Sequence, residues 1–90
     1  MKQRMNNLKR PFILRIEDDN TGLISYNGSL IKLNETTIEI LILLNEGKKF
    51  NEIVFELKDI YEVTEEQLKY DINEVIEDLD KYGIIDKINI

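Results

Sequence analysis

Cysteine, histidine and tryptophan are absent from this 90-residue chain, proline occurs once and glycine four times. Without His or Cys, the commonest general base, the usual activated thiol and the usual zinc ligands are all missing. So few Gly and Pro exclude a collagenous or low-complexity chain, and no Gly-rich phosphate loop is present. The longest apolar run, Ile40 to Leu44, is far short of the roughly 20 residues a helix needs to cross a bilayer, so no membrane span is expected. The basic start, Met1 to Arg10, lacks the apolar stretch of a signal peptide, and cytoplasmic residence is the expectation.

Carboxylates are the chemistry that remains. Asp18-Asp19 and Glu65-Glu66 are adjacent pairs, and neighbours on a strand or helix diverge instead of converging on a substrate. Asp18-Asp19-Asn20-Thr21-Gly22 resembles the opening of a calcium loop, but Gly22 stands where a further ligand belongs and no Glu follows at the twelfth position. It reads as a turn. No enzyme activity, metal site or cofactor is expected.

What the chain does have is 42% hydrophobic and 33% charged residues, enough for one domain with one small core. All eighteen acids lie after Ile16, whereas Lys2, Arg4, Lys9 and Arg10 are basic. The first ten residues therefore carry +4 and the remainder −10. Residues 1–10 are expected as a flexible basic terminus and residues 11–90 as a single acidic domain, soluble and suited to a basic partner.

Phe12 to Ile16 and Leu23 to Tyr26 are β-branched and aromatic runs flanking the Asp18 to Gly22 turn. Asn27-Gly28 then leads into Ser29 to Leu33, and Asn-Gly between apolar runs signals a two-residue hairpin. The spacing predicts a three-stranded antiparallel β-meander whose buried face helices must cover. With Tyr26 and Ser29 as the closing pair, the backbone groups of Ser29, Ile31 and Leu33 point to the neighbouring strand and those of Leu30 and Lys32 point outward. The side chains of Ile31 and Leu33, the more apolar pair, should face the helices.

Asn34 caps a first helix from about Glu35 to Glu46, closed by Gly47 and apolar around most of its circumference. Phe50, Ile53, Val54, Leu57, Ile60 and Tyr61 predict a second, amphipathic helix. Phe55 falls on its polar face, either as overflow of the core or as a docking aromatic, and the role of Tyr70 is likewise open. Thr64-Glu65-Glu66-Gln67 is a capping box with Val63 and Leu68 as its staple, opening a third helix with the stripe Leu68, Ile72, Val75, Ile76 and Leu79 and a stop at Gly83. Ile84-Ile85 return to the core, and Lys87 to Ile90 make an extra strand or a loose end.

The fold class is thus α+β, winged helix-turn-helix-like, a meander followed by three α-helices. The winged helix invites a DNA-binding role, which the charge opposes. The third helix would read the groove, yet it carries Glu65, Glu66, Asp71, Glu74, Glu77, Asp78 and Asp80 against Lys69 and Lys81. Phosphate neutralisation dominates nucleic-acid affinity, so no nucleic-acid partner is expected.

Leu33-Asn34 entering a buried helix, Gly47 closing it, Glu52-Ile53 with Leu57 and Tyr61 in a second helix, and Asp71, Val75, Leu79 and Gly83-Ile84 in a third give the chain a resemblance to the PqqD-like family over about Arg10 to Ile85. Lys49 departs from it, standing where the family more often has a small capping residue. The resemblance implies a non-catalytic module of ribosomal-peptide natural-product pathways. Such a module binds the leader of a precursor peptide by β-strand addition and presents it to a modifying enzyme, such as a radical-SAM protein or a peptidase. The implied peptide site is the third predicted strand, Ser29, Leu30, Ile31, Lys32 and Leu33, with the helix flank Asp71, Val75, Asp78 and Tyr82. The opposite flank, Lys69, Asn73 and Asp80, is the other candidate wall. The reading of a different class is an acidic winged-helix regulator or adaptor that acts through protein partners.

Overall fold

The computed structural model describes residues 1–9, 11–26 and 28–90. Four strands form one antiparallel sheet in the order β1-β2-β3-β4: β1 Lys2–Met5, β2 Phe12–Ile16, β3 Gly22–Tyr26 and β4 Ser29–Leu33. Three helices follow, α1 Glu35–Asn45, α2 Phe50–Leu57 and α3 Glu65–Lys81, and then a short 3-10 turn at Lys87–Asn89. The class is α+β as expected, but the sheet has four strands, not three.

The additional strand lies in the stretch expected to be a loose basic terminus. β1 pairs antiparallel with β2, placing Lys2 opposite Arg15 and Met5 opposite Phe12, and Met5 is fully buried. Just beyond, Asn7 makes a reciprocal pair of hydrogen bonds with the last residue of α1. Its backbone N–H donates to Asn45 Oδ1 and its side-chain Nδ2 to the Asn45 carbonyl, both at 3.0 Å. The ladder with β2, the core contacts of Met5 and Leu8, the Asn7–Asn45 bonds and a bond from the Lys9 N–H to the Ile84 carbonyl at 3.2 Å together hold the segment. Arg10, also assigned to that tail, lies outside the described residues, as does Asn27 of the expected Asn-Gly turn.

The core is one cluster. The inner sheet face supplies Met5, Phe12, Leu14, Ile24 and Leu33, and the helices cover it with Ile38, Ile40, Leu41 and Leu44 of α1, Ile53, Val54 and Leu57 of α2, and Leu68, Ile72, Ile76 and Leu79 of α3. Asn34 caps α1 by accepting the Thr37 N–H at 2.8 Å, and Thr64 caps α3 by accepting that of Gln67 at 3.1 Å. Val63, the other half of the expected staple, stays largely exposed. At the start of α2 the Glu52 carboxylate accepts the Lys49 N–H at 3.0 Å, the helix-side half of a capping box, while Lys49 makes no side-chain capping bond in return.

Both α1 and α3 end in Schellman turns, which require a left-handed residue just past the last turn. Gly47 and Gly83 provide it at φ +89° and +81°. In the second, Ile84 N–H bonds the Leu79 carbonyl at 2.9 Å and its side chain enters the core fully buried beside Ile85. The helix end and the return to the core are one feature.

α2 stops at Leu57, four residues earlier than the apolar pattern predicts. Ile60 is exposed, whereas Tyr61 packs against the core and donates its hydroxyl to Glu39 Oε2 at 2.7 Å, tying the α2–α3 connection back to α1. Phe55 is not overflow of the core: it is 68% exposed, with Lys58 Nζ 4.7 Å from its ring centroid.

Met5→Ala should lower stability by about 2 to 5 kcal/mol, the usual cost of truncating a buried Met or Leu, while Met1→Ala, at an exposed position, should leave the melting temperature unchanged. Equal melts would mean that β1 contributes nothing to the cooperative fold. A second expectation concerns Tyr61, whose phenol is raised above 10.0, first by burial and further by Glu39. It holds its proton more tightly folded than unfolded, so its contribution is complete below about pH 10 and lost as pH climbs through the raised value. The fall of melting temperature above pH 10 should be shallower in Tyr61→Phe than in the parent.

Candidate peptide-binding site

β4 is the last strand of the sheet, so one of its edges has no strand beside it among the described residues. Its register with β3 sets what that edge offers. Tyr26 pairs with Ser29, Ser25 with Leu30, Ile24 with Ile31, Leu23 with Lys32 and Gly22 with Leu33. A hairpin closing with two residues between Tyr26 and Ser29 makes that closing pair hydrogen-bonded, and the pattern alternates along the ladder. Ile31 and Leu33 thus bond inward to β3, and the backbone N–H and C=O groups of Leu30 and Lys32 face the open edge. The side chains partition as the alternation requires: Leu33 is buried and Ile31 packs against the core, while Leu30 is 71% exposed.

Between that edge and α3 lies a depression of about 170 Å³. Ile31, Lys32 and Leu33 form one wall and Val75, Asp78 and Tyr82 the other, with Asn34 and Thr37 closing the end at the start of α1. Six of the nine residues singled out from the sequence therefore surround one groove. α3 brings its three together because positions 75, 78 and 82 follow the i, i+3, i+7 spacing of one helix face. Val75 packs against the core, and Tyr82, about half exposed, also lines the depression.

The other three are placed differently. Ser29 and Leu30 lie further along β4 and outside the depression. Asp71 is two turns up α3, where its carboxylate accepts Gln67 Nε2 at 2.8 Å. Asn34 and Thr37 were not singled out from the sequence for this site; their capping bond is the signal that fixes them at its end. The opposite flank of α3 is partly taken, since Asp80 accepts the Lys87 N–H at 3.0 Å and Glu77 holds the Lys87 ammonium at 2.9 Å. That ion pair raises the Lys87 pKa above its ordinary value. Among the described residues no group of acidic side chains is placed to hold a metal ion, and no helix is long and apolar enough to cross a membrane.

The family model of coenzyme PQQ synthesis protein D, PqqD, matches residues 12–85. The chain belongs to the PqqD family. This is a family of recognition elements for ribosomally made peptides, whose members bind a precursor peptide and partner enzymes. The match takes in β2 to α3 and both walls of the groove, whereas β1 precedes it. No curated protein and no solved structure matches the chain.

The β4 register makes a prediction about stability alone. Ile31→Pro deletes a ladder bond and strands its partner carbonyl, which should cost about 1 to 3 kcal/mol, or roughly 4–8 °C of melting temperature per kcal/mol in a domain of this size. Lys32→Pro removes an N–H that faces the open edge and should melt closer to the parent. Similar losses in both would shift the register by one residue.

Proposed function

We propose that this member of the PqqD family is a non-catalytic chaperone for the leader segment of a ribosomally made precursor peptide, working in the cytoplasm with a modifying enzyme such as a radical-SAM protein or a peptidase. The observation that carries this reading is the unpaired edge of β4 running beside the α3 groove. An extended peptide adds a strand there, exchanging main-chain hydrogen bonds with Leu30 and Lys32, and sets one side chain against Val75 and Tyr82. Ser29, Ile31 and Leu33 hold the edge in register. Asp78 at the groove and Asp71 further up the helix meet Lys or Arg of the leader. In this reading the winged helix-turn-helix likeness serves peptide recognition, with the acidic α3 turned to a basic segment instead of a phosphate backbone. Phe55 and Tyr70, both exposed, stay outside the proposed site.

A leader of roughly 10 to 25 residues from the precursor encoded beside the gene should bind in the micromolar range or tighter. Fluorescence anisotropy at moderate salt checks it, and duplex DNA should not compete. Tight DNA binding with no response to the leader would sink the reading in favour of a regulator. Asp78→Lys should weaken the leader about tenfold, and Asp71→Lys less, with both variants melting within a few degrees of the parent. Lys32→Pro should bind more weakly as well, and an affinity equal to the parent's would move the peptide away from this edge.

A further inference from the structure

The sheet face turned away from the helices differs in charge from the rest of the molecule. Side chains alternate along a strand, so the buried Met5, Phe12, Leu14, Ile24 and Leu33 fix which residues point outward. The pairing registers align those residues in rows. One row sets Lys2 opposite Arg15, Arg15 opposite Leu23 and Leu23 opposite Lys32. The next sets Arg4 opposite Ile13 and Ser25 opposite Leu30, and Arg4, Ile13 and Ser25 line one shallow depression of about 420 Å³.

These two rows contain four cations and no carboxylate, in a chain whose net charge is −6. Arg15 is paired with Glu17 at 3.3 Å, and Lys32 lies toward the acidic turn at Asp19. Lys2 and Arg4, at the opposite edge, have no ion pair among the described residues. Ile13, on the inner strand β2, is 50% exposed, and Leu30, on the edge strand β4, 71%. Exposed apolar side chains flanked on the β1 side by the cations of Lys2 and Arg4 match a surface of the inverse kind, apolar with carboxylates beside it. The rows hold no aromatic residue, which single-stranded nucleic acid would use for stacking and a membrane surface for interfacial anchoring.

We propose that the outer face of the sheet docks a protein surface with carboxylates beside apolar area, that of the modifying enzyme, an inference that rests on the peptide-capture reading for the existence of such an enzyme. The leader edge and this face use different parts of β4. The side chains of Ile31 and Leu33 turn toward the helices and those of Leu30 and Lys32 toward the outer face, with Lys32 also bordering the groove, so peptide and enzyme are held at once on the two sides of a single strand.

The probe is the modifying enzyme encoded beside the gene, immobilised and titrated with the full chain at low and at moderate salt. The parent should bind, more weakly as salt rises. Arg4→Glu with Arg15→Glu should weaken enzyme binding about tenfold or more, and Arg4→Lys with Arg15→Lys should restore it. Leader affinity and far-UV circular dichroism should stay those of the parent in both pairs. If the charge-reversed pair fails to fold, Ile13→Ser, at a half-exposed position of β2, is the substitute and should weaken the enzyme in the same direction. The proposal is overturned if the parent does not bind the enzyme, if charge reversal or Ile13→Ser leaves its affinity unchanged, or if oligothymidylate or phosphatidylglycerol vesicles displace it. A parent that binds the enzyme as described but no leader would overturn the peptide-capture reading and leave this one standing.

Discussion

The structure depends on the parity of one antiparallel sheet covered on one side only. Because side chains alternate with a period of two, the choice to bury Leu14, Ile24 and Leu33 beneath three helices also decides what every intervening residue does. The closing of β3 on β4 with Tyr26 opposite Ser29 fixes that parity for the last strand. Had the turn one residue more, Leu30 and Lys32 would face the core, Ile31 and Leu33 would face water, and neither the groove nor the charged outer rows would exist. Stability and surface chemistry are two consequences of one register.

Much of this was legible in the chain because the signals were local. Asn34 and Thr64 before apolar runs, glycines after Glu46 and Tyr82, and the alternation in Ser29 to Leu33 each act over a few residues, and each is where the caps, turns and faces were found. β1 was not legible for a physical reason. In Lys2-Gln3-Arg4-Met5 one residue is anchored in the core, and no β-branched or aromatic residue marks the strand. It forms because β2 offers a free edge and because Asn7 and Asn45 clamp the loop, both of which are long-range facts. The early end of α2 was hidden likewise. Ile60 and Tyr61 continue the helical spacing, but the chain leaves the helix to place the Tyr61 hydroxyl on Glu39, and nothing local announces it. Half of the groove wall was readable from α3 periodicity and half from hairpin arithmetic. That the two halves line one depression is a property of packing alone.

Charge is sorted by element, although Arg15 is paired with Glu17 and Lys32 borders the acidic turn at Asp19. α3 carries seven acids against two lysines, while the outward rows of the sheet carry cations only. Such separation contributes little to stability, since exposed pairs are worth at most about 1 kcal/mol. In the proposed role its physical effect would be on encounter, orienting a basic segment toward one pole and an acidic surface toward the other before contact is made. The exposed Leu30 and Ile13 fit the same proposal, because apolar area beside charge would hold a partner that the charge has steered.

The size of the groove limits how recognition can work. At about 170 Å³ it is smaller than the roughly 300 Å³ at which pockets for small ligands begin, so it accommodates one anchoring side chain and not a set. An added strand on an edge as short as β4 contributes main-chain bonds that every sequence can make, and those carry affinity without selectivity. Under the proposed role, selectivity for a leader would come from the single anchor together with its spacing from the charges proposed to meet Asp78 and Asp71. A site with so few selective contacts would gain if, as proposed, the modifying enzyme is held on the other side of the same strand. Tethering turns the second encounter into an intramolecular one, at an effective concentration in the millimolar range for a short connection, and a modest affinity for the leader is then sufficient for it to be processed.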